Sequence, residues 1–180
     1  SNTNYAQINL VDAQVASTAE YLMRLLVQFG LKIDQDVATC LLTGILTDTL
    51  GFRTVNTTPD TLAAAKTLME IGAPMHQIYQ RTLHQRSLPA TRLWGHALSE
   101  VQSSDGLAWA SVPLTAKAHV GYTASGDADI VTQLTAIELT DVAVVFVERR
   151  HGEIKISWRS NTGLDVASIA KLFGGGGHHA

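Results

Sequence analysis

Apolar positions recur every three to four residues through the first half of the chain, then change to alternation and short continuous runs. Ser17-Thr18-Ala19-Glu20 has the form of a capping box, a hydroxyl followed three residues later by a carboxylate to serve the amides that open a helix. Leu22, Leu25, Leu26 and Phe29 follow at helical spacing, with Gly30 as the stop. A second helix is predicted over about 36–50, where Val37, Leu41 and Gly44 share a stripe and Ile45 lies beside it. Thr58-Pro59-Asp60 opens a third helix with an N-cap, a proline at the first helical position and an early acid. Its expected buried residues are Leu62, Ala65, Leu68 and Met69, and Gly72 ends it. A short helix near 75–83 follows Pro74.

Between Ser87 and Asp105 the pattern weakens. Leu93, Trp94, Ala97, Leu98 and Val101 predict an amphipathic connecting helix, and Ser103-Ser104-Asp105-Gly106 reads as a break. Beyond it Leu107–Val112 reads as a strand and Asp129–Leu139 as a helix carrying Ile130, Leu134 and Ile137 on one side. Val142–Val147 is a continuous β-branched run, the pattern of a strand buried on both faces. Ile154, Ile156 and Trp158 alternate with polar residues, which predicts a strand with one wet face, and His151-Gly152 marks the hairpin between the two. A last helix carries Val166, Ile169, Ala170 and Phe173 on its apolar stripe. The predicted class is α/β. Residues 1–86 form a mostly helical part, 87–105 a connecting helix and linker, and 106–180 a small mixed-sheet unit of β-α-β-β-α order.

Composition narrows the function classes. At 46% hydrophobic and 16% charged, the chain has ample material for a core. A net charge of -3 argues against a broad basic nucleic-acid face but is compatible with a small phosphorylated ligand held by local donors. Cys40 is the only cysteine; within an apolar run it reads as a buried thiol, fitting a reducing cytoplasm. No secretory signal core or membrane-length apolar run is present in the sequence. The start at Ser1, without an initiator Met, predicts a cut or processed N-terminus.

Three features could carry chemistry. Asp48 lies eleven residues after Val37 and seven after Leu41, which puts a carboxylate on the stripe expected to be buried. Such a carboxylate requires a partner: a salt bridge to Arg53, or a hard divalent cation such as Mg2+ or Mn2+. Gly174-Gly175-Gly176-Gly177 exceeds what a helix C-cap needs, and successive glycine amides can converge on an anionic oxygen, with His178 beside them. A linker running into a truncated tag is the competing reading of Gly-Gly-Gly-Gly-His-His. Arg159-Ser160-Asn161 ends a strand where loop residues build sites, and Arg159 can fork two hydrogen bonds to a phosphate, or be an ordinary surface arginine. Asp34, Asp36, Asp127 and Asp129 read as helix-start acids. His76, His84, His96, His119 and His151 are scattered and read as surface or packing residues.

Taken together, these segments resemble a known family. Ala38 through Thr49, then Gly51-Phe52-Arg53 and Asn56-Thr57-Thr58-Pro59, look like the fourth conserved region of the DHH phosphoesterases. Arg159-Ser160-Asn161 through Asp165–Ala170 to Phe173-Gly174-Gly175-Gly176-Gly177-His178 resembles that family's associated C-terminal domain. The resemblance is greatest to the bacterial group related to RecJ, which includes nano-RNases and phosphatases of 3′-phosphoadenosine 5′-phosphate. It implies hydrolysis of phosphoester bonds in short oligonucleotides or small nucleotides with two Mn2+ or Mg2+ ions. Asp48 would be a metal ligand. Arg53, Arg159, Ser160, Gly174, Gly175, Gly176, Gly177 and His178 would hold substrate. It also implies that the Asp-His-His triplet and other metal ligands lie upstream of Asn9-Leu10-Val11-Asp12, so no complete catalytic set is expected in this chain. The expected setting is cytoplasmic, without a membrane, and with a second copy of the chain as a possible homodimer partner. A non-catalytic nucleotide- or RNA-binding module is the alternative, and an exopolyphosphatase-related hydrolase a further one.

Overall fold

The computed structural model describes residues 6–12 and 14–177. The chain divides into two compact units, one ending at Gln85 and the other starting at Arg86.

The first unit is helical: α1 (Thr18–Gln28), α2 (Gln35–Asp48), α3 (Pro59–Ile71) and α4 (Met75–Tyr79), the last continued by a π-helical turn over Gln80–His84. The predicted caps form. Ser17 Oγ accepts from the Glu20 amide at 3.1 Å, Asp34 accepts from the Val37 amide at 2.9 Å, and Thr58 and Thr61 cap each other reciprocally. Gly72 ends α3 at φ +116°, which a residue with a Cβ rarely adopts. Met23, Ala38, Leu41, Leu42, Ile45, Leu46, Ala65 and Leu68 are the centre of the core. Gly44 lets α1 approach α2 closely, because a Cβ there would lie 2.6 Å from that of Ala19.

The inward faces of α1 and α3 differ from those expected. Leu22 and Phe29 are exposed while Glu20 and Met23 are buried; on α3, Leu62 and Met69 are exposed while Thr61, Ala65 and Leu68 are buried. Both helices pack on α2, and the buried residues form a narrow stripe rather than the whole apolar arc. The buried Glu20 carboxylate accepts from the Ala16 amide at 3.1 Å, from Thr61 Oγ1 at 2.9 Å and from the Arg24 guanidinium. Cys40, expected to be buried, is exposed; α2 turns Leu41, Leu42 and Ile45 inward instead.

The second unit contains α5 (Leu88–Ser99), β1 (Gln102–Ser104), β2 (Leu107–Val112), α6 (Leu114–Val120), α7 (Ile130–Leu134), β3 (Val142–Glu148), β4 (Ile154–Ser160) and α8 (Val166–Leu172). The strands make one sheet of order β1-β2-β3-β4, parallel between β2 and β3 and antiparallel elsewhere. Its core joins Leu93 and Ala97 of α5, Ala116 of α6 and Ile130, Val131 and Leu134 of α7 to Ala110, Val112, Ala143, Val145 and Val147.

The α/β class and mixed sheet are as predicted, but the expected β-α-β-β-α order is incomplete. Residues 87–105, expected to connect, belong to this unit, because Leu93 and Ala97 are fully buried in its core. The expected break at 103–106 is the turn of the β1–β2 hairpin: Asp105 and Gly106 both have positive φ (49° and 80°), the Asp-Gly pattern of a type I′ turn. The β2–β3 crossover holds two helices. Helix α6, closed by Gly121 in the left-handed region, was not predicted, and α7 stops at Leu134 rather than Leu139.

Candidate functional site

Asp48 is the last residue of α2, and its side chain is exposed. The spacing from Leu41 is as read, but the helix ends there, and Thr49 rather than Asp48 is fully buried beside Ile45 and Leu46. The buried-stripe expectation is therefore corrected. Thr47 Oγ1 donates to the Thr43 carbonyl at 2.9 Å and Thr49 Oγ1 to the Ile45 carbonyl at 2.7 Å, so neither hydroxyl serves Asp48. Arg53 is exposed and makes no ion pair with Asp48. Among the described residues the Asp48 carboxylate has no hydrogen bond or ion pair, and it is exposed to solvent.

The turn after Asp48 is strained. Leu50, Gly51 and Phe52 have consecutive positive φ values of 50°, 72° and 68°. For a residue with a Cβ this conformation costs about 1–2 kcal/mol. Gly51 N donates to Leu46 O at 2.8 Å, Arg53 N to Thr49 O at 2.8 Å, and Phe52 N to Thr49 Oγ1 at 3.0 Å, so the turn is over-determined. A Cβ on Gly51 would stand 3.0 Å from the Tyr79 ring, so a side chain there would also press on that ring. Strain of this kind persists where the surrounding structure holds it, and it clusters at ligand-handling positions. Among the described residues no group of three or more His, Cys, Asp or Glu side chains is arranged to hold a metal ion. Asp48 thus suits a hard cation as one oxygen ligand, but the other ligands are not present beside it.

In the second unit, β4 brings Arg159 and Ser160 to the sheet edge, and α8, which leads into the glycine run, packs on β4. Arg159 is half-buried, and its Nε is buried with no hydrogen-bond partner among the described residues. Ser160 Oγ accepts from the amides of Leu164 at 3.0 Å and Thr162 at 3.3 Å. Its acceptor capacity organises the loop, and its proton is left to be donated. Asn161 pins that loop, its Nδ2 donating to the carbonyls of Thr135 at 2.8 Å and Thr140 at 2.9 Å.

The glycine run splits into two functions. Gly174, at φ +75°, donates to Lys171 O at 3.1 Å, and Gly175 donates to Ala170 O at 2.9 Å. These are the two bonds of a Schellman cap. A Cβ on Gly175 would lie 3.0 Å from the Ala170 carbonyl oxygen. The amides of Gly176 and Gly177 form no hydrogen bond among the described residues, so two of the four expected donors remain available. His178 lies outside the described residues. On α8, Val166 and Ala167 are buried while Ile169 and Phe173, expected inward, are exposed.

A charged cluster near α6 escaped the sequence reading. Lys117 is buried, donates to Ala124 O at 3.2 Å and lies 5.7 Å from the Tyr122 ring centre. Burial lowers its ammonium pKa from the ordinary 10.5, as do nearby Arg149 and Lys155, while Asp127 opposes them. Burial also raises the Tyr122 phenol above 10.0, aided by Asp127. Asp127 is itself buried, and its Oδ2 has no hydrogen-bond partner among the described residues. The signal in the sequence was Pro113 and Gly121 bracketing a short helical segment.

Residues 112–180 match the DHHA1 domain, the span that contains β3, β4, α8 and the glycine run. Together with the similarities that follow, this match supports the resemblance to the DHH phosphoesterases. Over 178 residues it is 34% identical to the bifunctional oligoribonuclease and PAP phosphatase NrnA of Thermus thermophilus, covering 99% of this chain and 53% of the relative. The protein of the same name from Bacillus subtilis is 28% identical, with 97% of this chain and 56% of the relative covered. An exopolyphosphatase-related protein from Bacteroides fragilis superposes with a TM-score of 0.90 at 26% identity, covering 97% of this chain and 53% of that one. The chain spans about half the length of these relatives.

Proposed function

We propose that this chain serves phosphoester hydrolysis on short oligonucleotides or 3′-phosphoadenosine 5′-phosphate in the cytoplasm. The names of the Thermus and Bacillus relatives support the reaction class. The observation that carries the reading to particular residues is the exposed, unpaired Asp48 carboxylate at the end of α2, held by a strained turn. In this reading Asp48 is one oxygen ligand to Mn2+ or Mg2+, with further ligands drawn from outside the described residues. When bound, such ions supply a lowered water pKa and Lewis acidity toward phosphoryl oxygens. This chain's own residues hold the substrate. The Arg159 guanidinium forks to a phosphate, Gly176 and Gly177 offer amide donors, and Ser160 donates its free proton. Arg53 and His178 are further contacts in the same proposal.

The test is cleavage of a 5′-labelled pentanucleotide with Mn2+ by the whole polypeptide. Asp48→Asn is expected to lower kcat by on the order of 100-fold. Thermal stability should be unchanged, because the carboxylate has no partner to lose. Turnover within threefold of the parent would remove Asp48 from the mechanism. An assay panel including 3′-phosphoadenosine 5′-phosphate and inorganic polyphosphate separates the substrate classes. Metal-independent nucleotide binding, lost in Arg159→Ala and accompanied by no turnover, would move the conclusion to a binding module.

A further inference from the structure

The two edges of the sheet are unlike. At one, β1 is three residues long and polar, Gln102-Ser103-Ser104. At the other, β4 runs seven residues and pairs with β3 in unbroken register from Val142↔Ser160 to Glu148↔Ile154. A long, flat edge is a template for another strand, and shortness, proline, bulges or charge blunt it. Shortness blunts β1. Strand β4 has no proline and no bulge. Lys155 is a charge of the kind that guards an edge, and it excludes some pairings rather than all of them.

Hydrogen-bond parity identifies the unused backbone groups of β4. At the two ends of the β3–β4 ladder, Arg149 N donates to Glu153 O at 2.8 Å and Asn161 N donates to Asp141 O at 2.8 Å. In that register Lys155, Ser157 and Arg159 commit their backbone groups to β3. The N–H and C=O of Ile154, Ile156 and Trp158 therefore point the other way, off the sheet. None of these outward groups is hydrogen-bonded among the described residues. Helix α8 packs on β4 without bonding to that edge, and it leaves Ile169, Leu172 and Phe173 exposed, as Ile154 is on the strand itself. Exposed apolar side chains thus adjoin an open row of donors and acceptors.

A second copy of the strand complements this edge. Across a twofold axis β4 pairs antiparallel with its own image, and the outward groups of Ile154, Ile156 and Trp158 must meet one another. An axis at Ser157 sets Lys155 opposite Arg159 of the second copy, and an axis at Lys155 sets two lysines face to face, both unfavourable. An axis at Trp158 leaves Ile154 without a partner. An axis at Ile156 avoids all three faults. Ile156 then meets its own image, Trp158 meets Ile154, Lys155 meets Ser157 and Arg159 comes opposite Glu153, a residue of opposite charge. Three such pairs exchange about six backbone hydrogen bonds. We infer that the β4 edge is an interface between two copies of this chain, joined through β4 in the register centred on Ile156. The inference goes beyond the proposed function and does not rest on it.

The test follows association of this chain by sedimentation velocity and amide exchange by nuclear magnetic resonance. A single strand pair lies at the small end of specific interfaces, so the dimer should dissociate on dilution from about 1 mM to about 10 μM. Over that range the Ile156 and Trp158 amides should lose at least about tenfold in protection. The amides of Lys155, Ser157 and Arg159, bonded to β3 within the chain, should not change. Ile156→Lys and Ile156→Glu each place like charges face to face and should weaken association about tenfold. An equal mixture of the two should restore it, because opposite charges then meet. Far-ultraviolet circular dichroism checks that both variants fold, and the exchange measurement on the parent chain stands whether or not they do. A monomer at every concentration overturns the inference, as does a dimer whose Ile156 and Trp158 amides exchange equally at both. Folded variants that associate no better mixed than alone overturn it too.

Discussion

Glu20 offers a sharp test of the first unit, because a fully buried carboxylate there holds three donors from separate segments. Glu20→Ala leaves the Ala16 amide and the Thr61 hydroxyl without their acceptor, in places where those residues are 6% and 0% exposed. Each buried group left unpaired costs about 1–3 kcal/mol. Arg24 adds less: its side chain is 42% exposed and remains hydrated, so losing that contact adds at most about 1 kcal/mol. The expected total is about 3–5 kcal/mol, a large part of the ~5–15 kcal/mol that holds a domain folded. Glu20→Gln keeps one acceptor oxygen but turns an amide donor toward a neighbouring donor, and should cost about half as much.

The measurement is urea unfolding of the helices by far-ultraviolet circular dichroism. All three tryptophans lie beyond Gln85, so their fluorescence reports the second unit separately. With an m-value of ~1–3 kcal/mol/M, the helical midpoint of Glu20→Ala should fall by about 1 M or more. A loss below about 1 kcal/mol would refute the reasoning, because it would mean that Ala16 and Thr61 find other acceptors at no cost.

Two further perturbations follow the same physics. Gly44→Ala places a methyl 2.6 Å from Ala19 Cβ, so α1 must move off α2; a loss of about 1–3 kcal/mol in the same urea experiment is expected. Lys117 is held below 10.5 in the folded chain, so between that lowered value and 10.5 the unfolded chain binds the extra proton and stability rises with pH. Tyr122, held above 10.0, opposes this from pH 10 upward. Lys117→Met should therefore abolish the rise below pH 10, and a variant whose urea midpoint keeps the parental slope there would sink the argument.

What was legible in the sequence follows from how local each signal is. Caps were read correctly at Ser17, Thr58 and Gly72, because a hydroxyl or missing Cβ acts on backbone groups within a turn of its own position; Asp34, read as a helix-start acid, is the N-cap of α2. The three long strands were legible from β-branched runs and alternation. Which face of a helix is buried is not a local property. Leu22, Phe29, Leu62 and Met69 fit helical stripes in the sequence, yet packing on α2 covered Glu20, Met23 and Thr61 instead, while Ala65 and Leu68 are buried as expected. The turn-rich character of Ser103–Gly106 was read, but the hairpin it closes was missed, because the three-residue β1 beside it is too short to show a period.

The candidate site divides along the same line. Residue types at Asp48, Arg159 and the glycine run pointed to phosphate chemistry, but how each group is committed depends on hydrogen bonds between residues several positions apart. Burial was the expected reason for Asp48 to need a partner; exposure reverses that argument. A solvated carboxylate at a helix end can persist unpaired at little cost, so Asp48 alone would signify little. The costly element is the turn after it, where Leu50 and Phe52 hold left-handed torsions fixed by Thr49. In the glycine run, likewise, Gly174 and Gly175 are committed to ending α8, and that cap fixes where the chain leaves the helix. The free amides of Gly176 and Gly177 therefore start from a defined position, which a flexible linker of the same composition would not provide. Each unit, taken by itself, thus presents its candidate groups from a turn whose geometry is fixed by hydrogen bonds.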